Sequence, residues 1–116
     1  MRRLNILTIM IFVIGASSTA NAAGEWHFGK VARMLNDSEY FGGCMANIPT
    51  YEPTISCKAA WVSVDCDGNF LPKPTARRMW EAVQISYSLE KPIAVYLSDE
   101  MKVNGYCVAA RLDNTQ

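Results

Sequence analysis

The chain has 116 residues, with 11 basic and 11 acidic side chains, a single histidine and four cysteines. That length supports one domain with a modest core, and no basic stripe marks a nucleic-acid binder. No second long apolar run follows the N-terminal one, which argues against a membrane-spanning segment.

The N-terminus reads as a secretory signal peptide over residues 1–22. Met1-Arg2-Arg3 is its basic end, the apolar run extends from about Ile6 to Ile14, and Ala20-Asn21-Ala22 supplies small residues for cleavage. Cleavage there leaves residues 23–116 as a single, mildly acidic domain. A secreted or periplasmic location follows, in which Cys44, Cys57, Cys66 and Cys107 are expected to form two disulfides. In so small a domain each bridge is worth about 2–4 kcal/mol.

Along the chain, Gly29–Leu35 and Tyr40–Ile48 are the first two expected strands, with Gly42-Gly43 marking a bulge or a close backbone approach. Pro49 and Pro53 place a loop before the third strand, Ala59–Cys66. There Ala60, Val62, Val64 and Cys66 alternate against Trp61, Ser63 and Asp65. Asp67-Gly68-Asn69 is a turn. The helix is predicted over Thr75–Glu90, capped by Thr75 and ended by Lys91-Pro92. Ala76, Met79, Trp80, Val83 and Tyr87 form its apolar face, and Arg77, Arg78, Glu81 and Gln84 lie mostly opposite. Two strands follow, Ile93–Ser98 with Ile93, Val95 and Leu97 inward, and Tyr106–Leu112 after an Asn104-Gly105 turn.

The resulting order, β-β-β-α-β-β, is that of a mainly β, five-stranded OB-fold-like Greek-key barrel with one helix. Sequence alone permits three cysteine pairings. The OB order favours two of the contacts. Cys44, early in the second strand, meets Cys66 across the hairpin, and Cys57, entering the third, meets Cys107, opening the fifth. The rival is Cys44–Cys57 with Cys66–Cys107.

Little in the chain points to catalysis, a cofactor or a metal. Asp65-Cys66-Asp67-Gly68-Asn69 has alternate oxygen donors, but Phe70 stands where a calcium loop needs glycine and no closing glutamate follows. The cysteines contain no C-x-x-C spacing. His27 is expected to be exposed, with no nucleophile tied to it. Asn36-Asp37-Ser38 matches a glycosylation acceptor. Among the aromatics, Trp80 is assigned to packing. Trp61, Tyr40 and Tyr51 are candidate ligand-lining residues, with subunit contact or loop cover favoured for Trp61 and packing for Tyr40.

Glu25-Trp26, Tyr40-Phe41 ahead of Cys44, a second cysteine across the hairpin, and a helix running into Lys91-Pro92-Ile93-Ala94-Val95-Tyr96 resemble one family. It is the binding subunits of pentameric bacterial toxins, of the subtilase-cytotoxin and typhoid-toxin type. The stretch from Trp61 to Cys107 also resembles small secreted bacterial proteins without assigned function. The toxin resemblance implies a non-enzymatic homo-oligomer, a pentamer, that binds host glycans. Arg77, Arg78, Glu81 and Gln84 would then face the pore or neighbouring helices. One departure concerns the ligand: the family's sialic-acid serine follows the Glu-Trp pair, whereas here the segment reads His27-Phe28-Gly29-Lys30. The other expectation is a monomeric periplasmic or secreted OB-fold protein that binds a protein partner or a small ligand.

Overall fold

The computed structural model describes residues 24–38 and 40–114, so the expected signal peptide lies outside the described residues. The elements are β1 (Gly24–Lys30), β2 (Arg33–Asn36), β3 (Cys44–Asn47), β4 (Trp61–Ser63), α1 (Lys73–Ser88), β5 (Pro92–Val103) and β6 (Tyr106–Asn114). Among the described residues they form one mixed sheet in the order β1-β5-β6-β4-β3-β2. All neighbours are antiparallel except β4 and β6, which run parallel with Ser63 opposite Val108.

Six strands stand where five were expected. The predicted first strand, Gly29–Leu35, is two strands separated by Val31 and Ala32. β1 pairs with β5 and β2 with β3, so this two-residue link joins the opposite ends of the strand order. Val31 turns into the core, and the Ala32 N–H donates to the Asn47 carbonyl at 2.8 Å. β1 also begins earlier than its sequence suggests. Its alternation is inverted: Glu25 and His27 are partly buried, while Trp26 and Phe28 point outward at 51% and 62% exposure.

Backbone conformation shortens the next two strands. Gly42 and Gly43 have φ of 79° and 90°, so extended pairing starts only at Cys44. Left-handed Ala60 and Asp65, with φ of 69° and 58°, bracket β4. Ser63 and Asp65 are fully buried, so the β4 segment has no solvent face of the kind the alternation implied.

The core is built from Ala46, Ile48, Tyr51, Val62, Val64, Ile93, Val95 and Leu97, closed by Trp80 and Val83 of α1. Ile93, Val95 and Leu97 point inward as their alternation requires. In β6, Cys107, Val108 and Ala109 are buried in succession, because register shifts relative to β5 fall between Tyr96 and Leu97 and between Ser98 and Lys102. This replaces the simple alternation expected from Tyr106 to Leu112.

The helix begins at Lys73, not at Thr75. Pro72 occupies the cap position without a side-chain cap, and Pro74 falls in the first turn, where its missing N–H costs nothing. Ala76, Trp80 and Val83 face the sheet, but Ser86 is buried in place of Tyr87. Asn114 explains the exchange: its Nδ2 donates to the Ala82 carbonyl at 2.9 Å and to Ser86 Oγ at 2.5 Å. The C-terminus is a Schellman motif. Lys91 N–H bonds to Ser86 O at 2.9 Å and Glu90 N–H to Tyr87 O at 3.3 Å, with Glu90 left-handed at φ 54°.

Both disulfides take the pairing that the strand order favoured. Cys44 joins Cys66, and Cys57 joins Cys107, with Cα separations of 5.6 and 5.5 Å. They span 22 and 50 residues in an interleaved arrangement. Loop-closure entropy puts their contributions at about 3.4 and about 4.1 kcal/mol. Two such bridges fit an oxidising compartment, secreted or periplasmic. No helix among the described residues is long and apolar enough to cross a membrane.

Candidate ligand-binding groove

Three connections converge: the β2–β3 loop, the β4–α1 loop and the β5–β6 turn. They enclose an open groove of about 540 Å³ lined by Tyr40, Asn69, Phe70, Lys102, Val103 and Asn104. Tyr40 is 71% exposed and Phe70 45% exposed. Two aromatic rings therefore stand in solvent beside two amides and an ammonium group.

The first two loops are laced together at their bases. Asp67 N–H donates to Gly42 O at 2.8 Å, and Ser63 Oγ donates to Phe41 O at 2.8 Å. A Cβ on Gly43 would lie 2.6 Å from Asp67 Oδ1, and one on Gly42 would lie 2.7 Å from Ser63 Oγ. Only glycine permits this close approach, at left-handed φ in both cases. The Cys44–Cys66 bridge ties the same two segments covalently. Asp37 Oδ2 accepts from Phe41 N–H at 3.1 Å and closes the β2–β3 loop.

Buried Asp65 organises the second loop. Its Oδ1 accepts from Asn69 N–H at 3.0 Å and Asn69 Nδ2 at 3.1 Å, and its Oδ2 accepts from Phe70 N–H at 2.7 Å and Leu71 N–H at 2.9 Å. The oxygen-rich run considered as a calcium loop thus uses its first carboxylate as a backbone cap. Among the described residues no three His, Cys, Asp or Glu side chains gather as metal ligands.

The hairpin turn supplies the third wall. Asn104 and Gly105 are both left-handed, with φ of 52° and 84°, as a two-residue type I′ turn requires. Asn104 Nδ2 donates to the Tyr40 carbonyl, joining the turn to the β2–β3 loop. Lys102 Nζ donates to Ser56 O at 3.0 Å and Ser56 Oγ at 3.4 Å, and so anchors the hairpin to the segment carrying Cys57. Behind the groove, Phe41 meets Tyr106 edge-on at 5.7 Å, and Lys58 Nζ lies 5.1 Å from the Tyr106 ring centre.

The ligand-lining candidates separate in the fold. Tyr40 reaches the groove and is not packed away, contrary to the packing assignment. Tyr51 is 1% exposed and belongs to the core, so it lines no ligand surface. Trp61 is half-buried beneath the Arg33 guanidinium, 5.6 Å from its ring centre, and is not a lining residue of the groove. Arg77, Arg78, Glu81 and Gln84 are all exposed on α1, and none of them lines the groove. Asn69, Phe70, Lys102 and Asn104 escaped sequence reading. Asn69 and Asn104 sit in turn signals, and nothing local says that two turns 35 residues apart converge.

A second polar cluster lies on the inner face of β1. His27 Nε2 and Glu25 Oε1 are 2.7 Å apart, Thr54 N–H donates to Glu25 Oε1 at 2.8 Å, and the Thr54 hydroxyl donates to Glu25 Oε2. Burial alone would raise the Glu25 pKa. The bonds from Thr54 and His27 outweigh that effect and lower it from 4.5 to about 2. His27 is not the exposed histidine expected; its side chain is 17% exposed and its ring meets Tyr51 edge-on at 4.4 Å. Burial, then the charge of Glu25, raises the Tyr51 pKa to about 12. Pro49 and Pro53 deny this segment a regular ladder with β1, and Glu25 holds it through its side chain instead.

Comparisons with protein-family models, curated proteins and solved structures gave no match.

Proposed function

We propose that the protein is a secreted or periplasmic, non-catalytic binding module that recognises a carbohydrate in the groove between Tyr40 and Phe70. The observation that carries this reading is the company these rings keep: exposed aromatics flank two amides and Lys102 in a shallow concavity on loops held rigid by Asp65 and a disulfide. Aromatic faces bury the CH surface of a sugar, and side-chain amides bond its hydroxyls. A pre-formed site limits the ordering cost of binding.

The OB-fold reading is part of the proposal. Treating β1 and β2 as one strand broken at Val31-Ala32 leaves five strands, with a helix between the third and fourth and the third parallel to the fifth. The short link between the two ends of the strand order supports a closed barrel. Fold alone does not specify a ligand, which is why the groove carries the functional reading.

Assembly like that of the pentameric toxin binding subunits belongs to the same proposal, with Arg77, Arg78, Glu81 and Gln84 turned toward the pore. Exposed Trp26 and Phe28 on β1, exposed Ile85 on α1 and exposed Leu89 at its C-cap support a subunit contact. The same apolar positions favour the second reading, a monomer that docks a protein partner. A glycan array with Tyr40→Ala and Phe70→Ala controls tests the first reading. Each ring should be worth roughly tenfold in Kd, or about 1.4 kcal/mol. Binding that is indifferent to both substitutions refutes the groove. Light scattering at micromolar concentration separates an oligomer from a monomer.

A further inference from the structure

The hydrogen-bond partners of the two groove amides determine which of their atoms a ligand meets. Asn69 faces Asp65 Oδ1, an oxygen that also accepts from the Asn69 backbone N–H. Asn104 faces the carbonyl oxygen of Tyr40. An ionised carboxylate and a peptide carbonyl are acceptors only, so each amide must turn its NH₂ toward its protein partner. A flip at either position would set oxygen against oxygen. Each residue therefore retains its carbonyl oxygen, Asn69 Oδ1 or Asn104 Oδ1, as an acceptor for the groove, together with the second N–H of its amide. Lys102 has three N–H groups, of which Ser56 O and Oγ engage two.

We infer that the groove binds a pyranose through its hydroxyl hydrogens. Two sugar hydroxyls donate to Asn69 Oδ1 and Asn104 Oδ1, an oxygen lone pair of the sugar accepts from the third Lys102 N–H, and a CH face of the ring lies on Tyr40 or Phe70. This rests on the carbohydrate reading and narrows it. The site selects ligands that present hydrogens at two positions, and it disfavours any that present a carboxylate, sulfate or phosphate to the amide oxygens. An acceptor that the bound ring covers from water and leaves without a donor is costly, so masking the matching hydroxyl weakens binding.

The probes are the methyl glycosides of galactose, glucose and mannose with their mono-O-methyl and mono-deoxyfluoro derivatives, titrated calorimetrically into the oxidised full-length secreted protein. O-methylation and fluorination keep an acceptor atom but remove the hydrogen. At least one parent glycoside should bind, and masking at two positions should weaken it tenfold or more. The protein-side variant is Asn104→Gly, which suits the left-handed turn and removes the acceptor. It should weaken the parent glycoside tenfold and weaken no further the derivative masked at the matching hydroxyl, so that the two losses are not additive. A glycoside whose affinity survives masking at every position overturns the hydroxyl-donor assignment while leaving the carbohydrate reading intact. Additive losses in the cycle overturn it as well. Failure of all three parents to bind overturns both.

Discussion

Replacing Asp65 with asparagine exchanges one oxygen for an NH₂ group of almost the same size, at a residue with no solvent exposure. Asparagine tolerates the left-handed conformation found there, so backbone strain does not enter the comparison. Hydrogen bonding does. Each carboxylate oxygen accepts two bonds, Oδ1 from the Asn69 backbone and side chain, Oδ2 from Phe70 and Leu71. Whichever way the new amide turns, its NH₂ faces two donors. Two charge-assisted bonds are lost and donor opposes donor, which amounts to about 3–5 kcal/mol. Asp65→Ala should cost a similar amount, because it removes all four bonds but admits water. The assay is urea unfolding of the oxidised protein at neutral pH, followed by tryptophan fluorescence, with the shift in midpoint read at constant m-value. An Asp65→Asn protein within 1 kcal/mol of the parent would refute the assignment of this carboxylate as the organiser of the groove loop.

Glu25 makes the fold acid-sensitive. Its folded pKa, about 2, lies below its ordinary 4.5, so its contribution is fully present above pH 4.5 and is lost as the pH falls toward 2. Urea midpoints measured across that window should fall in the parent and change less in Glu25→Gln. Tyr51→Phe should be neutral within about 0.5 kcal/mol or mildly stabilising, because among the described residues the buried Oη meets no hydrogen-bond partner; thermal unfolding of the variant checks this. Glu90→Gly should stabilise by about 1 kcal/mol, since the Schellman position is left-handed and glycine adopts it without penalty. A lower Tm in that variant would contradict the helix end described above.

Local pattern carried the parts of the fold in which one face of an element is apolar and the other is not. The helix around Trp80, the inward set Ile93, Val95 and Leu97, and the Asn104-Gly105 hairpin were legible because their periodicity and turn chemistry act within a few residues. β1 was misplaced because Glu25 and His27 face inward, where they meet Thr54 and Tyr51 from a segment more than twenty residues away. The third strand was overextended because positive φ at Ala60 and Asp65, neither a glycine, leaves no mark in composition.

The four cysteines show where the boundary falls. Their number points to two bridges, which fit an oxidising compartment, and the order of the strands between them was enough to favour Cys44–Cys66 with Cys57–Cys107. The groove is different in kind. Tyr40, Asn69, Phe70, Lys102 and Asn104 belong to three connections, and each is ordinary loop chemistry where it stands in the chain. The bond from Asn104 to the Tyr40 carbonyl draws the hairpin turn to the β2–β3 loop, and that carbonyl and Asp65 turn the amides. Sequence by itself determined a mainly β chain with one helix and the presence of two staples, because those depend on composition and short-range pattern. Only the tertiary structure decided which side chains share a surface and which of their atoms it presents, because that depends on contacts between segments far apart in the chain.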